Sequence, residues 1–213
     1  MDIEKRSFEI ISEEVDLSDV PKKYLPIVKR VIHATADFEF KKTLVFHADA
    51  IKTGIQAIQS GKDILTDIEM VKTGINKKLL EKWGGKVICN IPARDRTSGN
   101  KTRAERGIES ALKEDSNIGI LAIGNAPTAL LKTIELLNSS FACLPILVVG
   151  VPVGFVNALE SKTLLAAQKF PFITNLSRKG GTPVAVAIVN ALLQMAGDIV
   201  LNSHLTKEVM DKK

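Results

Sequence analysis

Ile118-Gly-Ile-Leu-Ala-Ile-Gly-Asn-Ala-Pro-Thr128 is the stretch that decides the fold. Its first six residues are almost entirely apolar, as is typical of a parallel strand that is buried on both faces. Pro127 suits the first turn of a helix, and Asn125 is a candidate cap. The stretch therefore predicts a strand, a short loop and a helix, and the first backbone N–H groups of that helix form a candidate anion site.

The same unit recurs from Leu44 onward, where short apolar runs alternate with amphipathic segments. The predicted strands are Leu44–Phe46, Ile64–Leu65, Val87–Ile91, Ile118–Ile123, Ile146–Val151 and Phe172–Thr174. The predicted helices are Asp49–Gln59, Ile68–Thr73, Lys101–Lys113, Pro127–Leu137, Asn157–Gln168 and Pro183–Ala196. This alternation predicts an α/β fold, with a mostly parallel sheet that is covered by helices on both faces.

The N-terminal segment, from Ile3 to about Ala36, is predicted to be mostly helical. Pro21 is predicted to start its second helix, because Ser18-Asp19 offers a cap and proline favours the first helical turn. Apolar residues at helical spacing continue this second helix, namely Tyr24, Leu25, Val28, Val31 and Ile32.

The composition restricts the class of protein. With 213 residues, of which 45% are hydrophobic, the chain can build its own core, and we expect residues 1–213 to form a single domain. The charged N-terminus predicts no secretory signal, and no charge-free apolar run reaches the length of a membrane span. Cys89 and Cys143 each lie in an apolar run and are predicted to be buried free thiols, which suits the reducing cytoplasm.

The formal net charge is +5, which serves either solubility or the steering of an anionic ligand. A single Trp, a single Tyr and the lack of a dense basic helix argue against a nucleic-acid partner. The sequence contains no zinc-site spacing, no Gly-x-Ser-x-Gly elbow, no P-loop and no Gly-x-Gly-x-x-Gly fingerprint. We therefore expect no metal or cofactor, and a generic α/β hydrolase or transferase is disfavoured.

Loops that follow the predicted strands hold the unusual residues, and ligands of parallel sheets bind beyond the carboxyl ends of the strands. Ser177-Arg-Lys-Gly-Gly-Thr-Pro183 places two cations and two glycines before a helix that Thr182 is expected to cap. This loop is either a carboxylate or phosphate site, through Arg178 and Lys179, or only a tight joint between strand and helix. Glu160-Ser-Lys162, which follows the preceding strand, adds a further cation.

Arginines are concentrated between residues 92 and 106, at positions Arg94, Arg96, Arg103 and Arg106. Arg103 lies near a predicted helix start, where bidentate pairing with a carboxylate is the natural use of an arginine. A solvated helix face fits Arg106 better than Arg103. The scattered cations indicate a site for a small polyanion, but they do not name the molecule.

His33 lies in Arg30-Val-Ile-His-Ala-Thr-Ala-Asp-Phe-Glu-Phe40 and is one of three histidines. Histidine titrates close to neutral pH, so it can both donate and accept protons there. Three interpretations remain, which are a satisfied and partly buried histidine, a metal ligand, and a general acid or base. A metal is disfavoured because no second His or Cys lies at ligand spacing. Arg30, and Asp37 if the helix continues that far, would share a helical face with His33.

Eight segments, in order along nearly the whole chain, together resemble the precorrin-8X methylmutase family of corrin (vitamin B12) biosynthesis. Each segment alone is a weak signal, whereas their joint occurrence is highly specific. The segments are Ser7-Phe8 with Ile10-Ile11, Arg30–Phe40, Asp67-Ile-Glu-Met-Val-Lys-Thr-Gly74, Thr102-Arg103, Ile123-Gly-Asn-Ala-Pro-Thr-Ala-Leu130, Gly150-Val-Pro-Val-Gly-Phe-Val156, Glu160-Ser-Lys162 and Arg178-Lys-Gly-Gly181.

The resemblance implies an isomerase that moves a methyl group from C-11 to C-12 of (cobalt-)precorrin-8, giving (cobalt-)cobyrinate or hydrogenobyrinate. The shift is intramolecular and sigmatropic, so the resemblance implies no methyl donor, metal or nucleotide as cofactor. It also implies a polycarboxylate corrinoid substrate and a homodimer with its sites near the subunit interface. Whether the substrate holds cobalt stays open, because no residue is an evident metal ligand.

The resemblance gives His33 the role of proton donor and acceptor, and it places Ser7 and Arg30 in contact with substrate. The cationic loops add the remaining candidates for substrate binding, which are Arg103, Asn125, Lys162, Arg178 and Lys179. His47 departs from the family pattern, in which a serine is common after the Val-Phe strand, and it leaves open a second titrating group near the site. The rival interpretation is a tetrapyrrole-binding carrier that uses the same loops without catalysis.

Overall fold

The computed structural model of the chain describes residues 3–92, 101–139, 141 and 145–210. The strands within these residues are β1 (Leu44–Phe46), β2 (Asp63–Thr66), β3 (Val87–Ile88), β4 (Ile118–Ile123), β5 (Leu147–Gly150) and β6 (Phe172–Asn175). They form one sheet in the order β1-β6-β5-β4-β2-β3. Only β1 runs antiparallel to its neighbour among these described strands, so the predicted α/β fold with a mostly parallel sheet is confirmed.

Helices connect the strands and cover both faces of the sheet. They are α1 (Ile3–Glu14), α2 (Leu25–Thr35), α3 (Phe40–Thr43), α4 (Ala50–Gln59), α5 (Glu69–Gly74), α6 (Lys77–Glu81), α7 (Arg103–Glu114), α8 (Pro127–Asn138), α9 (Ala158–Ala166) and α10 (Thr182–Met210). The predicted N-terminal helical segment corresponds to α1 and α2. The sequence patterns did not predict the short helices α3 and α6.

The sheet lies between two apolar layers, and every residue of β2, β4, β5 and β6 is buried. One layer joins the sheet to α2, α4 and α10, with Ile58 and Leu192 in its centre. The other layer joins the sheet to α7, α8 and α9, with Leu130 and Leu165 in its centre. Burial of apolar surface contributes about 25 cal/mol per Å², so these two layers dominate the stability of the fold.

The second helix of the N-terminal segment begins later than its sequence predicts. Pro21 precedes a turn rather than a helix, and α2 begins at Leu25 with Pro26 in its first turn. The prediction was wrong because two prolines lie close together, and the second one occupies the position that proline favours at a helix start. At its other end α2 stops at Thr35, because Ala36 adopts a left-handed conformation with φ 52°.

Helix α10 passes through the core against α2, α4 and α5. By length and composition alone its stretch Thr182–Val200 is apolar enough to cross a membrane, although it includes Asp198. Half of this stretch is buried inside the protein, and side chains such as Ile188 are completely buried. The central helix of a soluble protein meets the same criterion, and the packing of α10 fits that explanation.

The two ends of the sheet are named here by the direction of the parallel strands. The carboxyl edge is the end at which β2, β4, β5 and β6 finish, and the amino edge is the end at which they begin. Strand β1 runs the other way, so Leu44 pairs with Asn175 at the carboxyl edge and Phe46 pairs with Ile173 towards the amino edge. The candidate loops, which follow the parallel strands, therefore converge on the carboxyl edge.

Three residues that the sequence singled out, Arg94, Arg96 and Cys143, lie outside the described residues. The other cysteine, Cys89, is a free thiol just beyond β3. It is only partly buried, so the predicted full burial of this thiol was wrong. Partial burial still raises the pKa of the Cys89 thiol and keeps it in the neutral form at pH 7.

Candidate active site

His33 lies in the last turn of α2 with its side chain exposed. The Oγ atom of Ser7, from α1, is 2.7 Å from Nδ1 of His33. The ring of Phe8, the next residue of α1, meets the His33 ring edge-on, with 5.6 Å between the ring centroids. Because Nδ1 is engaged inside the protein, the other ring nitrogen, Nε2, is left to exchange a proton with a bound molecule.

Arg30 lies one turn before His33 on α2 and connects this helix to α1. Its guanidinium forms an ion pair with Glu4 and lies 5.7 Å from the centroid of the Phe8 ring. The side chain is 25% exposed, so it has little free surface to offer a substrate. These contacts indicate that Arg30 holds α1, and with it Ser7, against the helix that carries His33.

Asp37 does not share a helical face with His33, because α2 ends at Thr35 and Ala36 turns the chain. The carboxylate of Asp37 instead accepts a hydrogen bond of 2.7 Å from Nζ of Lys179, and Glu39 accepts another of the same length. The hydrogen bond from Lys179 lowers the pKa of Asp37, and the two carboxylates raise the pKa of Lys179. Lys179 therefore ties the segment after α2 to the loop after β6.

Lys162, a residue of α9, is completely buried. Its Nζ donates hydrogen bonds to the backbone carbonyl of Lys179 at 2.7 Å and to Oδ1 of Asn175 at 3.3 Å. Burial lowers the pKa of Lys162 to about 8. In this structure the ammonium of Lys162 faces the interior and supports the loop after β6, so its contact with a substrate carboxylate stays a prediction.

The loop after β6 closes tightly against the loop after β5. A Cβ atom on Gly180, which has φ 147°, would lie 2.3 Å from the carbonyl oxygen of Val151, so only glycine fits there. The N–H of Gly181 donates to the same carbonyl at 2.8 Å. Helix α10 begins at Thr182 itself, so the predicted cap at Thr182 was wrong by one residue, and Gly181 occupies the cap position.

Arg178 is exposed like Lys179, but no carboxylate pairs with it among the described residues. Its guanidinium carbon lies 5.9 Å from the centroid of Phe155, and Phe155 is 85% exposed. Phe155 belongs to the loop after β5, where Val153 and Val156 are also exposed. An accessible cation beside an apolar surface suits a ligand that combines carboxylates with a large apolar ring system.

Asp67 binds the loop that leads into α8, just before the helix N–H groups that were predicted to form an anion site. This aspartate follows β2, is 2% exposed, and accepts hydrogen bonds from the N–H groups of Gly124 at 3.0 Å, Asn125 at 2.8 Å and Ala126 at 2.7 Å. Burial raises the pKa of Asp67, and the three N–H donors oppose that effect. Asn125 is not the cap of α8, but its exposed side chain lies at the carboxyl edge.

Arg103 begins α7, whose cap residue Thr102 forms a capping box with Glu105. The Nε–H of Arg103 donates to the carbonyl of Pro92 at 2.9 Å, and the side chain is exposed. The hydroxyls of Thr102 and Thr128 are 2.9 Å apart, which brings the start of α7 next to the start of α8. Arg103 therefore lies at the carboxyl edge, as its candidate role requires.

His47 lies at the opposite end of the sheet from the other candidates. It follows β1, its N–H donates to the carbonyl of Phe172 at the start of β6, and its Nδ1 accepts from the N–H of Asp49 at 3.2 Å. His47 therefore belongs to the amino edge, and it is not a second titrating group beside His33.

A groove of about 730 Å³ runs between α1, α2 and α10 and borders Arg30 but not His33. Three glutamates line it, which are Glu4, Glu9 and Glu13. Lys5, Lys29 and Arg30 line it as well, so the formal charges cancel and the groove gives a polyanionic ligand no net attraction. The carboxyl edge next to His33, with its exposed Arg178 and Arg103, is the better candidate for an anionic substrate.

Comparison with known proteins decides the family. A model of the family described as precorrin-8X methylmutase matches residues 2–195, which include every candidate residue named above.

The chain belongs to the precorrin-8X methylmutase family.

A methylmutase is an isomerase, since the methyl group moves within one molecule. A cobalt-precorrin-8 methylmutase of Priestia megaterium is 48% identical to this chain over 99% of its length and 92% of the relative. A precorrin-8X methylmutase of Sinorhizobium sp. is 36% identical over 89% of this chain and 92% of the relative. The crystal structure of the Thermus thermophilus precorrin-8X methylmutase superimposes with a TM-score of 0.83 at 36% identity, covering 92% of this chain and 96% of that one.

Proposed function

We propose that this chain is a cobalt-precorrin-8 methylmutase, in which His33 handles the proton that assists migration of a methyl group from C-11 to C-12. The observation that carries the proposal is the exposed His33 ring, which is held through Nδ1 by Ser7 and leaves Nε2 open at the carboxyl edge. General acid–base assistance of this kind typically accelerates a reaction by about 10²–10⁴-fold.

The chemistry balances without a second substrate. The bond between the methyl carbon and C-11 breaks as the bond to C-12 forms. Nε2 of His33 delivers a proton to the macrocycle, and the macrocycle then returns a proton to Nε2. The hydroxyl of Ser7 keeps the ring in one orientation while the proton moves. Only contacts that are stronger in the transition state than in the ground state accelerate the step, so a fixed ring is more effective than a mobile one.

Recognition of the carboxylate side arms is assigned to cations that remain accessible. Arg178 and Arg103 are exposed at the carboxyl edge, and Asn125 lies beside them with amide donors. Arg30 and Lys179 already have carboxylate partners within the chain. We therefore assign substrate contact to the first three residues and a supporting role to Arg30 and Lys179.

The cobalt-loaded form is proposed as the natural substrate. The chain is 48% identical to the cobalt-precorrin-8 methylmutase of Priestia megaterium and 36% identical to the precorrin-8X methylmutase of Sinorhizobium sp.. Parallel assays with cobalt-loaded and metal-free substrate test this point. A higher kcat/KM for the metal-free form would reject the cobalt assignment and leave the methylmutase assignment intact.

We also propose that residues 1–213 act as one domain in a cytoplasmic homodimer, with the sites near the subunit interface. The exposed apolar side chains of Val153, Phe155 and Val156, next to Arg178, support an interface close to the site. Light scattering coupled to gel filtration measures the mass of the particle. A monomer at micromolar concentration would exclude the dimer without affecting the catalytic assignment.

Turnover by a small amount of protein separates the enzyme from the rival carrier. With substrate in hundredfold excess, a methylmutase converts all of it, and the absorption spectrum changes progressively while the mass stays constant. A carrier alters the spectrum only in proportion to the protein added. A stoichiometric and immediate change would therefore reject the proposed activity in favour of the carrier.

A further inference from the structure

Lys162 is among the largest completely buried side chains, yet no carboxylate pairs with it among the residues that the structure describes. A buried ammonium without a counter-charge costs stability, because it loses its hydration. An apolar side chain of the same length would avoid that cost. A lysine at this position therefore indicates that its hydrogen bonds serve another purpose.

Those hydrogen bonds fix the backbone of one residue, Lys179. The Lys179 carbonyl accepts from Nζ of Lys162 at 2.7 Å and from Nδ2 of Asn175 at 2.9 Å. The Lys179 N–H donates to Oγ of Ser177 at 3.1 Å, and Oδ1 of Asn175 accepts the second bond of Lys162. The main chain of Lys179 is thus held on both sides, within a loop that packs against α9.

The side chain of Lys179 extends from this fixed backbone towards the helix of His33. Its ammonium bonds Asp37 and Glu39 at 2.7 Å each, and these residues follow α2 directly after the left-handed turn at Ala36. We propose that Lys162 is a positioning residue, which fixes Lys179 so that its ammonium holds the segment next to His33. The catalytic consequence rests on the proposed function, whereas the structural coupling does not.

Replacement by methionine tests the proposal, with Lys132→Met as the matched control. Lys132 is 8% exposed, but its ammonium bonds Glu135 on the surface of α8, away from the loop after β6. We expect Lys162→Met to lower kcat by roughly 10- to 100-fold with KM within about threefold, because small misplacements of catalytic groups reduce turnover by such factors. Lys132→Met should leave both constants within about twofold.

A double-mutant cycle shows whether the effect passes through Lys179. If it does, the double variant Lys162→Met/Lys179→Met loses no more kcat than the worse single variant, because both changes release the same contact. Multiplicative losses, or a kcat of Lys162→Met within twofold of the parent, would overturn the proposal. Should Lys162→Met fail to fold, Lys162→Gln, which is too short to reach the Lys179 carbonyl, takes its place in the cycle.

A titration that needs no activity separates this inference from the proposed function. Carbon NMR follows the carboxyl group of Asp37, whose pKa the Lys179 hydrogen bond lowers. We expect Lys179→Met to raise this pKa towards the ordinary value, Lys162→Met to raise it by a smaller amount, and Lys132→Met to leave it in place. An Asp37 pKa that Lys162→Met does not change would reject the positioning role, even in a protein that proves to be a methylmutase.

Discussion

Among the side chains that the structure describes, each edge of the sheet has one histidine and one buried aspartate, and the two pairs differ in their surroundings. At the amino edge, Nδ1 of His47 accepts from the nearby N–H of Asp49, and Asp63 accepts from the single N–H of Lys86. At the carboxyl edge, Asp67 accepts from three N–H groups in the loop just before α8, and the exposed His33 contacts a residue of another helix.

The difference lies in what each edge presents rather than in the residue types. The carboxyl edge gathers the starts of α7, α8 and α10 together with loops that hold glycines and cations. Helix starts present unsatisfied N–H groups, which attract anionic groups from the protein or from a ligand. The proposed function places His33, next to such loops, against the substrate, whereas His47 packs against Phe172 in the sheet.

The largest expected effect compares the two histidines directly. We expect His33→Ala to lower kcat by about 10²–10⁴-fold, since the general acid and base is lost, while the dissociation constant of the macrocycle changes little. His47→Ala should keep kcat within about twofold, because the ring lies at the other end of the sheet. Initial rates from the absorption change measure both variants. Equal losses in the two variants would show that the edges do not differ in chemistry.

The two buried aspartates give the next largest effect. Asp67→Asn places an amide donor against three N–H groups, and we expect it to reduce the free energy of unfolding by about 2–3 kcal/mol. Asp63→Asn affects one such bond and should cost about 1 kcal/mol. Urea denaturation at pH 7 gives both values. A larger loss of unfolding free energy for Asp63→Asn than for Asp67→Asn would contradict the expectation that the carboxyl-edge aspartate contributes more stability.

Ser7→Ala sharpens the account of the His33 ring. We expect kcat to fall by about fivefold, because one hydrogen bond of about 1 kcal/mol no longer orients the imidazole. Ser12→Ala is the control on the same helix, since its hydroxyl donates only to the Phe8 carbonyl at 2.7 Å. The comparison of kcat between the two serine variants decides the point. A kcat for Ser7→Ala that matches Ser12→Ala would separate Ser7 from the chemistry.

The smallest effect concerns Lys179→Met and its dependence on pH. The hydrogen bond from Lys179 lowers the folded-state pKa of Asp37 below 3.8, so the contact stabilises the protein fully above that pH. This contribution to stability is lost as the pH falls through the lowered pKa of Asp37 in the folded state. We expect the parent to be slightly more stable than the variant at pH 7 and equal to it in strong acid, by urea denaturation. A difference that persists in acid would mean that the contact is not ionic.

The elements that local patterns predicted well are those with continuous local signals. Strand β4 spans the predicted residues Ile118–Ile123, because an unbroken apolar run leads directly into Pro127. The end of α2 was harder to predict, because Ala36 adopts a left-handed conformation. Glycine or asparagine usually occupies such a position, and neither is present here. Because the helix stops at this single residue, His33 and Asp37 do not share the helical face that their spacing predicts.

The contacts that organise the site could not be predicted, because they join distant residues. Asp67 binds the loop before a helix that starts about sixty residues later, and in the sequence it is only one residue of a segment that resembles the family. The sequence predicts Lys162 to be a cation that binds substrate. Nothing near it in sequence indicates that Asn175 and Lys179 will bond its ammonium. His33 is a candidate from its own segment, whereas Ser7 is named only through the family resemblance. Their 2.7 Å contact depends on how α1 packs on α2.

The small buried surface of α1 affects the stability of the stored protein and its response to limited proteolysis. Only Ile11 of this helix is buried, so α1 detaches at a lower free-energy cost than any strand of the sheet, and its amides exchange early with solvent. A protease that cuts the chain between α1 and α2 would remove Ser7 while the sheet and its loops stay folded. Under the proposed function, such a clipped protein would still bind the macrocycle, and a preparation could lose turnover while its melting temperature hardly changes.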